Sequence, residues 1–166
     1  QNVDEAEPPR RVATVEDAVG IGRIDLDAAE RAGTGAPDGT VLAAEWQTAG
    51  RGRRGRTWHA LPGAALTFSV LRRFEQGAGF LAGLSLGTGV AVMRALRAHG
   101  ADDAKLKWPN DVLVEDRKIS GVLSEVSSDL SAVVIGAGLN LSQTREQLPI
   151  VEATSLRLEG ATVDFE

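Results

Sequence analysis

Seven consecutive residues, Gly50-Arg51-Gly52-Arg53-Arg54-Gly55-Arg56, place four guanidiniums among three glycines. Guanidiniums present planar forks of donors that fit phosphate and carboxylate oxygens, and interleaved glycines let backbone close around an anion. Like charges repel and little apolar surface is available there, so the loop is expected to be mobile until an anion orders it. A second polar set lies at Lys105-Leu106-Lys107-Trp108-Pro109-Asn110-Asp111, where Pro109 fixes the turn and an indole, an amide and a carboxylate follow one another. Such a turn either aims functional groups or caps a core tryptophan. Lys118-Ile119-Ser120-Gly121 and Gly136-Ala137-Gly138-Leu139-Asn140 complete the candidates. A lysine at a hairpin tip is ordinarily solvated. The last segment lacks the third glycine and following helix of a dinucleotide fingerprint.

Other chemistries find little support. No Gly-x-x-x-x-Gly-Lys-Ser/Thr sequence and no cysteine occur, which removes the P-loop cradle, disulfides and thiolate chemistry. His59 and His99 are distant from each other and from carboxylate clusters, so they are expected to be surface or packing residues. Asp102 and Asp103 follow a helix and are expected to be solvated. The formal charge is −5 and the pI about 5.1, so the arginine loop is a local cationic site on an acidic chain. A basic turn that touches nucleic acid is the other reading of the loop, and the acidic remainder counts against it.

The elements that must carry these residues follow from pattern. The length of 166 residues with 43% hydrophobic content fits one domain with a real core. Residues 1–11 are polar and end near Pro8-Pro9, so a flexible arm is expected, with the domain over 12–166. A short helix is expected over 25–32, a strand over 40–46 leading into the arginine loop, and a half-buried strand over 64–71. In that strand Leu66, Phe68 and Val70 form the apolar face that should meet the next helix. Helical spacing of Phe80, Leu81, Leu84, Leu86, Val90, Met93, Ala95 and Leu96 predicts the core helix over 79–99. Its glycines 83, 87 and 89 are explained by close packing on a sheet. Strands are expected over 105–107, 111–114, 119–126 and 132–139, with 115–118 as a hairpin turn. The fold class is α+β: a mixed, largely antiparallel sheet flanked by helices. No membrane-spanning run or signal peptide is evident, and a cytoplasmic location is expected.

Taken in order, Glu45-Trp46-Gln47, the arginine loop, Trp58, Pro62-Gly63-Ala64, Lys107-Trp108-Pro109-Asn110-Asp111, Lys118-Ile119-Ser120-Gly121 and Gly136-x-Gly138-x-Asn140 resemble the catalytic core of a biotin protein ligase. The resemblance covers residues 44–140 and rests on the order and spacing of the whole series. It implies an adenylate-forming enzyme that joins biotin to ATP, releases pyrophosphate, and passes biotin to a lysine of a carboxyl carrier domain. It also implies these roles: Gln47, Gly50, Arg51, Gly52, Arg53, Arg54, Gly55, Arg56, Trp58, Lys118 and Gly121 around biotin and its adenylate; Arg53 and Lys118 as the groups that stabilise charge; Lys107, Trp108, Asn110, Asp111 and Asn140 on the nucleotide side; and Asp111 toward Mg²⁺. Biotin's carboxylate and then the acceptor lysine do the attacking, so no protein nucleophile is needed.

The sequence departs from the family in three places. Where the family carries Gly/Ser-Ser/Thr-Thr-Asn, whose hydroxyls bond the ureido ring, this chain has Gly22-Arg23-Ile24-Asp25. The family's small C-terminal β domain and the N-terminal helix-turn-helix of some relatives are not expected, so no DNA binding is expected. A homodimer is left open. The altered segment also leaves room for a lipoate or octanoate ligase or transferase, or for a catalytically silent ligand-binding relative.

Overall fold

The computed structural model describes residues 14–18, 21–74, 81–127, 130 and 132–161; the N-terminal arm and residues 79 and 80 of the expected core helix lie outside them. Strands β1 (Thr14–Ala18), β2 (Thr40–Ala44), β3 (Ala65–Arg72), β4 (Lys105–Lys107), β5 (Asp111–Val114), β6 (Arg117–Val126) and β7 (Val133–Asn140) accompany helices α1 (Ile24–Gly33) and α2 (Leu81–Ala98). One sheet holds all seven in the order β1-β2-β3-β7-β6-β5-β4. Only β1 and β2 run parallel; the other neighbours are antiparallel. The expected mixed, largely antiparallel sheet is thus the one observed. β1 was not expected at all.

Each helix takes one face. Ile24, Ala28 and Ala32 of α1 pack with Leu42, Ala44, Leu71 and Val134. Val133 and Ile135, the neighbours of Val134, belong instead to the cluster that Leu84 of α2 covers. Alternate residues of a strand face opposite ways, so α1 and α2 lie on opposite faces. A further cluster joins Leu96, Met93 and Val92 of α2 to Val112, Val114 and Ile119. Aspartates 25 and 27 in the first turn of α1 suit the positive end of its dipole.

Several expectations are corrected. In β3 the burial is inverted: Ala65, Thr67, Ser69 and Leu71 are buried, while Leu66 is exposed and Phe68 and Val70 only partly covered. Phe68 does pack on the α2 side. The polar face is nonetheless the deeper one, because α1 and the loops above it close that side. In α2, Leu86 and Ala95 face solvent. A Cβ at Gly89 would come within 3.0 Å of Leu106 Cδ2, whereas Gly83 and Gly87 have nothing within 4 Å. Close packing therefore explains Gly89 alone. The hairpin turn is only Glu115-Asp116, both at positive φ (51° and 63°). That is the backbone of a tight two-residue turn, and it leaves Arg117 and Lys118 inside β6.

Candidate functional site

A cavity of about 380 Å³ opens on the α1 face of the sheet, floored by β3, β7 and β6. Its lining includes Asp25, Gln47, Arg51, Arg53, Trp58 and Lys118. Thr67, Gly138 and Gly121 form one row across the three strands, and Ser69, Gly136 and Leu123 the next. Glycines in two of these rows keep the floor low. At Gly138 a Cβ would lie 2.3 Å from the Trp58 indole, so the ring rests directly on the backbone there.

Lys118 reaches this face because β6 carries a bulge. Val112 pairs with Ser120, but the next residue, Leu113, pairs with Lys118, so Ile119 is an extra residue. A bulge of this kind re-aims the side chains beyond it. Ile119 turns into the α2 core, and Lys118 emerges beside Asp111 and Gly121. Its Nζ lies 2.7 Å from Asp111 Oδ1 and 6.0 Å from the centroid of the Trp58 ring. The segment around Ala153 braces the same residue: Lys118 N donates to Glu152 O, and Thr154 N donates to Lys118 O.

The arginine loop leaves the end of β2 and folds into a small hairpin. Arg51 bridges Thr57, Gly52 N donates to Arg56 O at 2.7 Å, and Trp58 N donates to Gly50 O at 2.9 Å. Gly50 lies so close to the returning strand that a Cβ would sit 2.6 Å from Trp58 O. Arg51, Gly52, Arg53 and Arg56 line the cavity; Gly50, Arg54 and Gly55 do not. No carboxylate among the described residues pairs with any of the four guanidiniums. The loop thus adds positive charge to an opening that already holds the Lys118 ammonium of β6 and the Asp25 carboxylate.

Gln47 sits at the other side of the opening, where its Oε1 accepts the Ile24 N–H at 3.0 Å and so satisfies the first turn of α1. Arg23 binds Asp25 through both guanidinium branches, Nε at 3.1 Å to Oδ1 and Nη2 to Oδ2, and lies 3.4 Å from Glu125 Oε2. Burial alone would raise the Asp25 carboxyl, but the Arg23 hydrogen bonds and charge outweigh it and hold it below the ordinary carboxylate range. Glu125 goes the other way, raised by burial and by the neighbouring Asp25 carboxylate.

The remaining sequence candidates fall outside the cavity or are already engaged. Trp108 is 81% exposed, packing on neither core nor cavity, and Lys107 is exposed beside it. Asn110 lines the cavity and its Nδ2 donates to Val122 O. Asp111 is not on the cavity lining and its Oδ1 is engaged by the Lys118 ammonium. Asn140 also lines the cavity, yet its amide is spent internally: Nδ2 donates to Thr154 O and Oδ1 accepts from Gln143. Asp25, of the segment that departs from the family, lines the cavity, as do His59, Thr67 and Ser69, to which the sequence assigned no binding role. The alternation of β3 was the available signal for the two hydroxyls. No group of three or more metal-ligating side chains occurs among the described residues.

The profile described as the biotin/lipoate A/B protein ligase family matches residues 27–140. The chain is 40% identical over 131 residues to the bifunctional ligase/repressor BirA of Escherichia coli, covering 77% of this chain and 41% of that protein. It is 43% identical over 140 residues to the biotin–[acetyl-CoA-carboxylase] ligase of Mycobacterium tuberculosis, covering 81% and 52%. Among solved structures, the biotin protein ligase of Aquifex aeolicus in complex with biotin and ATP superposes with a TM-score of 0.76 at 32% identity, covering 92% of this chain and 63% of that one. The Leishmania major biotin protein ligase in complex with biotinyl-5-AMP gives 0.72 at 26% identity, covering 87% and 64%. The chain therefore spans about two-fifths to two-thirds of the length of these relatives.

Proposed function

Because the chain belongs to the biotin/lipoate A/B protein ligase family, we propose that it is the catalytic core of a biotin protein ligase: it activates biotin with ATP to biotinyl-5′-AMP and transfers the biotinyl group to a lysine of a carboxyl carrier domain. The observation that carries this reading is the presence on one glycine-floored cavity of Lys118 and of three arginines, Arg51, Arg53 and Arg56, that form no ion pair with a carboxylate among the described residues.

In the first step a carboxylate oxygen of biotin attacks the α-phosphorus of ATP, the bond from that phosphorus to the bridging oxygen breaks, and pyrophosphate leaves. Negative charge builds on the phosphoryl oxygens in this step, and Lys118 and Arg53, both on the cavity lining, are the cations assigned to stabilise it. Fixed cations aimed at such charge in a dry site are worth roughly 3–4 kcal/mol each. Asp111, 2.7 Å from Nζ, keeps the lysine from swinging away. In the second step the acceptor amine attacks the acyl carbon and AMP leaves, with the arginine loop closed over the adenylate to keep water out.

ATP commonly enters such sites with Mg²⁺, which is bound through one or two carboxylates plus substrate phosphates. This chain fits that sparse arrangement. Asp111 would hold the ion with the oxygen not taken by Lys118, and phosphate oxygens would supply most of the rest. The metal would supply charge neutralisation at the phosphates.

ATP–pyrophosphate exchange with biotin, lipoate, octanoate or no acid tests the reading. Exchange dependent on biotin is expected. Exchange that responds only to lipoate or octanoate would replace biotin as the substrate.

A further inference from the structure

The cavity end opposite Lys118 has a chemistry of its own. From Gly121, beside the lysine, to Glu125 is four residues of β6, about 13 Å of strand. Asp25, Ser69 and Gln47 line the same cavity as Lys118, so an acid long enough to span it with its carboxylate at Lys118 would set its head group among them. The resemblance sets the segment that bonds the ureido ring in the family against Gly22-Arg23-Ile24-Asp25 of this chain. The structure shows a carboxylate held by a guanidinium there, the Asp25 side chain being only 12% exposed. Thr67 Oγ1 and Ser69 Oγ, buried on the same cavity wall, have no hydrogen-bond partner. The oxygen of Gln47 is engaged with Ile24 N, which leaves its Nε2 as the group to offer.

We propose that the Arg23–Asp25 pair determines which acid is accepted, Asp25 being an ionic acceptor that demands an N–H donor in the head group, with Arg23 as its positioning residue. This deepens the biotin ligase reading and rests on it. An ionised carboxylate can only accept, whereas the two hydroxyls and the Gln47 amide can donate. The complementary head carries N–H groups beside a carbonyl, as in a cyclic urea. N–H binds Asp25, and the carbonyl accepts from hydroxyl or amide. A hydrocarbon or dithiolane head of equal length would fill the same volume but displace water from a carboxylate and two hydroxyls without replacing its hydrogen bonds. Sites built in this way reject the analogue that lacks the polar group far more strongly than apolar pockets reject a change of shape. Glu125, 3.4 Å from the same guanidinium and within hydrogen-bond reach of the Asp25 carboxylate, competes with Asp25 for Arg23 and with the head group for Asp25.

The test combines exchange kinetics with calorimetric binding of each acid in the absence of ATP, using biotin, ureido-N-methylated biotin and octanoate on wild type, Asp25→Ala, Asp25→Asn, Arg23→Ala and Arg23→Lys. Wild type is expected to bind biotin roughly 100-fold more tightly than octanoate. Asp25→Ala should shrink that preference by about tenfold or more, chiefly through biotin, and should lose discrimination against the N-methylated analogue. Asp25→Asn, nearly isosteric, checks that the effect is not a failure to fold and should lose less. Arg23→Ala should raise the biotin KM with kcat little changed, and Arg23→Lys should recover part of the loss. Wild type that prefers biotin alongside an Asp25→Ala variant with unchanged preference overturns this inference and leaves the ligase reading standing. Wild type that prefers octanoate, or that binds none of the acids, overturns both.

Discussion

Truncating Lys118 to alanine removes the one ammonium that the bulge in β6 delivers to the cavity and leaves Asp111 without its ion-pair partner, while the backbone pairing of the residue itself is untouched. Its backbone bonds to Glu152 and Thr154 do not involve the side chain. Lys118→Ala should slow biotin-dependent pyrophosphate exchange by about 10²–10³-fold while thermal denaturation stays close to wild type; full exchange activity would remove Lys118 from the mechanism. Gly138→Ala acts on space instead of charge. The new methyl would overlap the Trp58 indole, a rigid ring that cannot yield at its tip as a lysine can. The ring must be expelled into the cavity, so biotin affinity should fall in calorimetry. Glu125→Gln is a test of pH. The folded pKa of Glu125 is raised above its ordinary 4.5, so the stability it confers is full below that range and is lost as pH rises through the folded value. The glutamine variant should therefore melt at a higher temperature than wild type at pH 7, and the gap should close as the pH falls toward 4. Asp25 has the opposite sign: its pairing with Arg23 stabilises at neutral pH and fades in acid as the lowered folded pKa is crossed.

Among the elements, those with one strong period were legible and those shaped by neighbours were not. The strands over 105–107 and 111–114 appear with the expected bounds, because short β-rich runs flank a proline turn. β1, Thr14-Val-Glu-Asp-Ala18, has adjacent acidic residues and no alternation, and it exists as a strand through parallel pairing with β2. The stretch Glu115-Asp116-Arg117-Lys118 reads as a turn on charge alone. Two residues at positive φ complete the reversal, so Lys118 lies on a strand, where its direction depends on a register shift that no local pattern announces. The arginine loop and its position after β2 were visible in the sequence, since clustered guanidiniums need no tertiary context to be noticed. Asp25 was legible only as part of a departing segment, and Thr67 and Ser69 look ordinary until three strands and a helix start bring all three together. In α2, Gly87 meets nothing within 4 Å, so Gly87→Ala should stabilise by about 0.5–1 kcal/mol through helix propensity, read from the urea midpoint. Gly89→Ala should gain less, because Leu106 must shift to admit the methyl.

Across the whole molecule, charge is distributed to concentrate an anion at one mouth. The chain carries −5 overall while Arg51, Arg53 and Arg56 line the opening. Screening acts over about 8–10 Å near physiological ionic strength, and a polyphosphate meets more of this field than a monocarboxylate does. Raising salt from low to moderate should thus increase the KM for ATP several-fold more than that for biotin; equal sensitivity would mean that the loop does not steer the nucleotide. Trp58 and Trp108, which the resemblance sets beside biotin and beside the nucleotide, end in opposite surroundings. Trp58 lies on Gly138 against the cavity with its Nε1 buried and unpartnered, while Trp108 stands 81% exposed on the far side of the proline turn. An indole in that buried setting emits at shorter wavelength than one in water, and filling the space beside it changes its emission. The protein thereby carries an optical reporter of occupancy: titration with ligand should move the blue component of the tryptophan spectrum, a Trp58→Phe variant should leave only the share of Trp46, half-buried beside Gln47, and a Trp108→Phe variant should preserve the movement.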